Sequence, residues 1–270
     1  MKQYKRLEED VYMQICSKLN IDPDTDLLAT EKMHSLLSAQ AVRKTLRKLK
    51  TLIKNKWVFI FAPGPSLIDS LEQLNDFLKE YRKDIVVIAV DGASQALLES
   101  NITIDSIITD LDGSLVAIRE SFKNGSIIVI HAHGDNMTKI NEIKDIIPKE
   151  GVLGTTQTKE TTKLKNLGGF TDGDRAAFLV ANFGAKKVIL VGFDFGDIIG
   201  RFSKPESNFE DFQASERKLI KFTFAKKLLA KLPNLFPRIK FYNLANNGED
   251  IENIPKIQRE KIKELVITCD

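Results

Sequence analysis

Cysteine is scarce in this chain. Cys16 and Cys269 are the two among 270 residues, and they sit near opposite ends. That spacing excludes a disulfide framework and fits a reducing compartment. Glycine (15) and proline (8) are too few for collagenous or low-complexity sequence. Long apolar runs are missing as well: the longest, residues 57–62 and 85–90 among them, have six residues and others, such as 188–191, fewer, far short of the roughly 20 that a bilayer-spanning helix needs. The N-terminus turns acidic at Glu8, Glu9 and Asp10, where a signal peptide would turn apolar. A cytoplasmic protein with no membrane partner is therefore expected. Neither sign of charge dominates. Forty basic and 37 acidic side chains leave a formal +3, which gives no electrostatic footing for a nucleic-acid partner. Two phosphate-binding fingerprints, Gly-x-x-x-x-Gly-Lys-Ser/Thr and Gly-x-Gly-x-x-Gly, do not occur.

What is present is the composition of a soluble globular protein, 43% hydrophobic and 29% charged in 30.4 kDa. A chain of this size buries about three quarters of its unfolded surface and needs neither disulfides nor metals for a core. Residues 1–55 are expected to be helical, with Val11, Ile15 and Leu19 on one stripe and Val42, Leu46, Leu49 and Ile53 on another, around a turn at 20–26. Arg43, Lys44, Arg47, Lys48, Lys50, Lys54 and Lys56 fit a solvated face of the second helix. From Trp57 onward, β-branched runs alternate with glycine-containing turns and helical periods. This predicts an α/β protein with a Rossmann-like open, mostly parallel sheet. The expected strands are 57–61, 85–90, 106–109, 126–131, 152–156 and 188–191. Helices should start near Ser66, Ser94, Ser114, Asn136 and Asp172, with Ser66 and Asp69 forming a box-like cap. A long Lys-rich helix is expected at 209–232. The resulting division is an N-terminal helical region (1–55), an α/β catalytic domain (56–200) and a helical extension completing it (201–270).

Almost every expected strand ends in an acid beside a glycine: Asp91-Gly92, Asp110-Leu111-Asp112-Gly113, His133-Gly134-Asp135 and Gly192-Phe193-Asp194, with Thr171-Asp172-Gly173-Asp174 opening a helix. The carboxyl ends of parallel strands share one edge, so these acids converge on one crevice, where such folds bind ligands. Gathered carboxylates repel one another unless cations neutralise them, and oxygen-only ligands favour Mg²⁺ or Mn²⁺. That combination suits a phosphate-bearing substrate. His131 and His133 lie two apart on a strand end, as in binuclear zinc hydrolases. The third histidine, His34, lies in the helical region, so such a centre lacks further ligands. The loop Ala62-Pro63-Gly64-Pro65-Ser66 can offer N–H groups to an anion, although its prolines remove two donors.

Four segments in order, Ala89-Val90-Asp91-Gly92-Ala93, Ile108-Thr109-Asp110-Leu111-Asp112-Gly113, His131-Ala132-His133-Gly134-Asp135-Asn136 and Gly169-Phe170-Thr171-Asp172-Gly173-Asp174-Arg175-Ala176, resemble the archaeal 6-hydroxymethyl-7,8-dihydropterin pyrophosphokinase family. That family is similar to the catalytic domain of thiamin pyrophosphokinases. The resemblance spans roughly residues 57–200 and implies transfer of diphosphate from ATP to the hydroxymethyl group of the reduced pterin, releasing AMP, on the way to folate-like or methanopterin-like cofactors. It implies ATP and a reduced pterin as ligands, Mg²⁺ as cofactor, and Asp110, Asp112 and Asp135 as metal ligands. His133 or Asp135 would accept the alcohol's proton. Gly64, Ser66, Asp91, Gly92, Asp172, Asp174 and Arg175 would bind the nucleotide, with Arg175 on phosphate oxygens. The N-terminal helices are expected to support the fold without supplying central carboxylates, and a homodimer is left open. Thr109 replaces the glycine of thiamin pyrophosphokinases, and the two histidines replace acids, both of which disfavour thiamin. Motility-accessory glycosyltransferases share the Gly-Pro-Ser-Leu loop, so the alternatives are a nucleotide-sugar transferase and, behind it, a thiamin-type pyrophosphokinase.

Overall fold

The computed structural model describes residues 4–204, 210–245 and 248–267. Three helices lead: α1 (Glu9–Leu19), α2 (Pro23–Leu36) and α3 (Ala39–Ile53). Asp22 caps α2 by accepting the Asp24 N–H, and Pro23 takes the first helical position, where no hydrogen bond is lost. The expected turn at 20–26 is thus shorter, and Asp26 lies inside a helix. Then follow β1 (Trp57–Phe61), α4 (Leu67–Glu80), β2 (Ile85–Val90), α5 (Ala93–Glu99), β3 (Ser106–Thr109), α6 (Leu115–Lys123), β4 (Ile127–His131), α7 (Met137–Glu142) and β5 (Val152–Thr155). The remainder is β6 (Leu164–Lys165), α8 (Asp172–Asn182), β7 (Lys187–Val191), β8 (Ile198–Ile199), β9 (Phe212–Gln213), α9 (Glu216–Leu235), β10 (Lys240–Asn243) and α10 (Glu260–Ile267).

Among the described residues, eight strands form one sheet in the order β10-β7-β1-β2-β3-β4-β5-β6, every pairing parallel. Strands β1, β2, β3, β4 and β7 are buried along their whole length, as expected of a sheet covered by helices on both faces. Their sequences, such as Trp57-Val-Phe-Ile-Phe61 and Ile85-Val-Val-Ile-Ala-Val90, are continuous apolar runs for that reason. The chain starts at β1, winds outward to β6, then returns through α8 to β7 on the other side of β1. Strand order therefore reverses at β1, and the crevice opens at the carboxyl ends around it.

The N-terminal helices close the far side. Helix α3 lies against β5, burying Leu49 and Ile53 completely, each contributing on the order of 2 kcal/mol. Arg43, Lys44, Arg47, Lys48, Lys50 and Lys54 are exposed, the solvated face expected from the sequence. Beyond residue 200 the extension is not only helical, because β10 adds the sheet's edge strand. The long helix begins at Glu216, capped by Ser215, not at position 209. Residue 209 lies outside the described residues. No helix among them is long and apolar enough to cross a membrane.

Candidate active site

The carboxyl edge of the sheet holds a cleft of about 540 Å³. Its floor is built from strand ends. Asp91 follows β2 with φ at 44°, a left-handed turn that brings its carboxylate back over the sheet edge. There Oδ1 accepts the Thr109 hydroxyl at 2.7 Å and the Gly113 N–H at 2.8 Å. Asp110 follows β3, and its N–H donates to Asp172 Oδ2 at 2.9 Å. Asp172 starts α8, where its other oxygen meets Arg175 Nη1 at 2.8 Å in a buried ion pair. One oxygen from each of Asp91, Asp110 and Asp172 lies within 4.8 Å of the others.

Three carboxylates this close raise one another's proton affinity. Burial, then the charges of Asp110 and Asp172, pushes Asp91 well above the ordinary carboxylate range. Burial and Asp110 push Asp172 up to about 7, against the opposing pull of Arg175. Asp110 goes the other way: burial raises it, but the His133 imidazole, the Asp112 N–H and Lys221 outweigh burial and hold it below the usual range. His133 Nε2 sits 3.6 Å from Asp110 Oδ2, an ion-pair distance. Its Nδ1 accepts the Asp135 N–H at 3.3 Å. Burial lowers His133, yet Asp110 and the other acids leave it raised overall. Asn136, fully buried, fastens the floor by donating to the carbonyls of Asp110 (2.8 Å) and His131 (2.6 Å).

Helix α9 roofs the centre. Lys218 and Lys221 line the cleft, and Arg217 donates to the Leu19 carbonyl, tying α9 to the end of α1. Burial and Lys221 depress Lys218, while Asp110, Asp91 and Asp172 pull it back up. Toward β1 and β7 the wall is apolar, with Pro63, Phe193, Phe195, Ile198 and Ile199. Toward β4 and β5 it is polar, with His131, Gln157 and, from α2, Asp26.

Several expected site residues do other work. Asp112 is half-exposed and paired with Lys139 at 2.8 Å, and Asp135 is exposed. The crowded cluster is Asp91, Asp110 and Asp172, while Asp112 and Asp135 line the cleft beside it. Asp174 is fully buried, and its oxygens accept the N–H groups of Phe170 (2.6 Å) and Thr171 (2.8 Å) and the Thr171 hydroxyl. It caps α8 and does not line the cleft. Arg175 lines the cleft, is 3% exposed and holds Asp172 and the Phe170 carbonyl (2.6 Å), a positioning role. Ser66 does not pair with Asp69. Its N–H and hydroxyl both donate to Asp194 Oδ2, at 3.1 and 3.0 Å, so a carboxylate already occupies the start of α4. Gly64 lies at the cleft's lip, where a Cβ would stand 2.2 Å from both the Gly192 carbonyl and that same Asp194 oxygen. A Cβ on Gly92 would meet the Phe202 carbonyl at 1.6 Å, so this glycine serves packing. Asp26, Gln157, Lys218 and Lys221 escaped the sequence reading, because only the fold brings positions so distant in the chain to one cleft.

An open parallel α/β sheet with an acid-floored, lysine-roofed cleft along its carboxyl edge defines the class: a doubly wound protein of the kind whose ligand crevice lies at that edge. Sequence comparison is more specific. The family model described as 6-hydroxymethylpterin diphosphokinase MptE-like matches residues 31–200, and the chain belongs to that family. It is 40% identical over 223 residues to the 6-hydroxymethyl-7,8-dihydropterin pyrophosphokinase of Pyrococcus furiosus, a match covering 83% of this chain and 91% of that one. The enzyme of the same name from Methanocaldococcus jannaschii is 40% identical over 227 residues, covering 82% and 92%. Among solved structures, the MAf glycosyltransferase from Magnetospirillum magneticum AMB-1 superposes with a TM-score of 0.50 at 15% identity. That match covers 84% of this chain and 39% of the other, and it shows a shared fold alone.

Proposed function

We propose that the protein transfers the terminal diphosphate of ATP to 6-hydroxymethyl-7,8-dihydropterin and releases AMP, with Mg²⁺ held by Asp91, Asp110 and Asp172. The observation that carries this reading is the three-carboxylate cluster in a chain of this family: its oxygens lie within 4.8 Å of one another, and burial raises two of the three acids. A divalent cation relieves that repulsion, and an all-oxygen donor set suits Mg²⁺. When bound, Mg²⁺ supplies neutralisation of phosphate charge.

The chain's own residues position the reactants. Thr109 and Gly113 fix Asp91, Arg175 fixes Asp172, and His133 faces Asp110. Lys218 and Lys221 offer ammonium groups to phosphate oxygens from above the cluster, and their charge stabilises the build-up on the departing AMP. The hydroxymethyl oxygen forms a bond to the β-phosphorus. The bond from that phosphorus to the α,β-bridging oxygen breaks, AMP leaves with that oxygen, and the hydroxyl proton is released. His133 Nε2, 3.6 Å from Asp110 Oδ2 and without a hydrogen-bond partner, is the ring nitrogen open to take this proton, since Nδ1 already accepts the Asp135 N–H.

Incubation with Mg-ATP and either the reduced pterin or thiamin, followed by nucleotide chromatography, tests the assignment. Pterin-dependent AMP without ADP, abolished by chelation of the metal, is expected. ATP left intact by the pterin, or AMP formed only with thiamin, contradicts it.

A further inference from the structure

The polar end of the cleft contains a carboxylate that the reaction does not use. Asp26, on α2, is 2% exposed. Three neutral donors hold it: Tyr12 Oη at 2.6 Å and Gln157 Nε2 at 2.6 Å on Oδ2, and the Gly134 N–H at 2.8 Å on Oδ1. Among the described residues no Lys, Arg or His nitrogen pairs with it. A buried carboxylate without a cation is costly unless its acceptor sites are filled. Two donors saturate Oδ2, whereas Oδ1 has one and retains a lone pair.

A second group points to the same end independently. His131 is also 2% exposed and lines the cleft, and its Nε2 is buried without a hydrogen-bond partner. Nδ1 lies 3.2 Å from the Thr155 hydroxyl, which itself donates to the Ile130 carbonyl at 3.4 Å. Thr155 thus accepts from Nδ1–H, and Nε2 is left as a bare acceptor. Burial, reinforced by Arg175 and His133, keeps this imidazole neutral. Gln157 follows β5, next to β4 in the sheet, so Asp26 and His131 form one wall. Asp26 Oδ1 and His131 Nε2 each keep acceptor capacity at this end of the cleft.

We infer that Asp26 and His131 form the subsite that reads the pterin ring, with Asp26 Oδ1 accepting one N–H of the 2-amino group. This rests on the function proposed above. A 2-amino-4-oxo pyrimidine presents N–H donors along that edge, and one 2-amino N–H fills the open acceptor site of Oδ1 in a charge-assisted hydrogen bond. The hydroxymethyl group sits at the opposite end of the bicycle. With the donor edge at Asp26, over β5, the hydroxymethyl is directed past β4 toward Asp110 at the end of β3. That leaves the apolar wall at β1 and β7 for the nucleotide base.

The experiment measures binding by calorimetry, without turnover, of 6-hydroxymethyl-7,8-dihydropterin, its 2-oxo (lumazine) analogue and α,β-methylene-ATP. Wild-type protein should prefer the pterin over the 2-oxo analogue by about 10- to 100-fold, the worth of a charge-assisted hydrogen bond. Asp26→Asn should lose about that factor for the pterin and most of the discrimination, while its affinity for the ATP analogue stays within about 2-fold. A folded Asp26→Asn protein with wild-type pterin affinity overturns the subsite. Should that variant fail to fold, equal binding of the two ring systems by wild-type protein overturns it just as well. A wild-type protein that binds the ATP analogue and neither ring system sinks the functional reading itself, a result distinct from the other two.

Discussion

Two turns bring an Asp-x-Asp doublet to the cleft: residues 109–114 between β3 and α6, and residues 171–175 at the start of α8. In each, the first aspartate joins the acid cluster and the second does not, but the second members part ways for different reasons. Leu111 has φ at 73° and buries its side chain completely, which swings Asp112 outward to Lys139. In the other turn the helix has already begun, so Asp172 and Asp174 stand about 200° apart around its axis. Asp174 reaches back to cap the helix while Asp172 faces the cleft. Equal spacing therefore does not mean equal use. The backbone between the two acids decides which joins the cluster, which is a cap and which pairs at the cleft's rim.

The largest expected effect comes from the first members. Asp110→Asn should cut turnover by at least about 100-fold with the fold intact, since a neutral amide weakens cation binding without changing volume. Asp172→Asn should do the same, with stability at pH 7 held within about 1 kcal/mol, because the lost charge on Arg175's partner is offset by relief of repulsion with Asp91 and Asp110. Near-wild-type rates at limiting Mg²⁺ in either variant break the comparison at its root.

Asp174→Ala has the opposite signature. It strands the donors of Phe170 and Thr171 and should cost about 2 kcal/mol, read as a lower urea midpoint, while the folded fraction still binds Mg-ATP. Loss of Mg-ATP binding with unchanged stability would place Asp174 in the site after all.

A pH series sharpens the electrostatic side. Asp172 titrates near 7 in the folded protein, above its unfolded value near 4. Below the unfolded value its contribution to stability is fully present, and it is lost as pH rises through about 7. In chelator, melting temperature should therefore fall between about pH 4 and pH 7, the interval these two values bracket. Mg²⁺ should restore it, and Asp172→Asn should flatten the curve. A melting temperature that rises over this interval contradicts the crowded cluster.

The smallest effect belongs to Asp112→Asn. Its pair with Lys139 is half-exposed, so stability should move by less than about 0.5 kcal/mol and turnover by less than about 10-fold. A loss as large as that of Asp110→Asn would show that the two turns work alike.

Much of this molecule is written in local pattern. The β-branched runs at 57–61, 85–90 and 106–109 became β1, β2 and β3 with the expected bounds, because a strand buried on both faces must be apolar throughout. Strands β6, β8 and β9 have two residues each, too few for any period. Edge strand β10, Lys240-Phe-Tyr-Asn243, mixes polar and apolar residues because one flank has no neighbour in the sheet. The start of α2 was legible in Asp22-Pro23, a cap followed by a helix-starting proline, yet that pair also fits a turn. In the site, the acid doublets were visible and their division of labour was not, since it depends on the dihedral at Leu111 and on a cap reaching backward. Asp26 and Gln157 are 131 positions apart, and no sequence spacing announces their contact.

Cation binding tests the central claim most directly. Mn²⁺ titrated by electron paramagnetic resonance in the presence of α,β-methylene-ATP should bind wild-type protein saturably. Asp110→Asn and Asp172→Asn should each weaken it by at least about 10-fold, and Asp112→Asn should leave it within about 3-fold. Undiminished Mn²⁺ binding in the Asp110 and Asp172 variants, or a loss confined to Asp112→Asn, would contradict the assignment of the cluster.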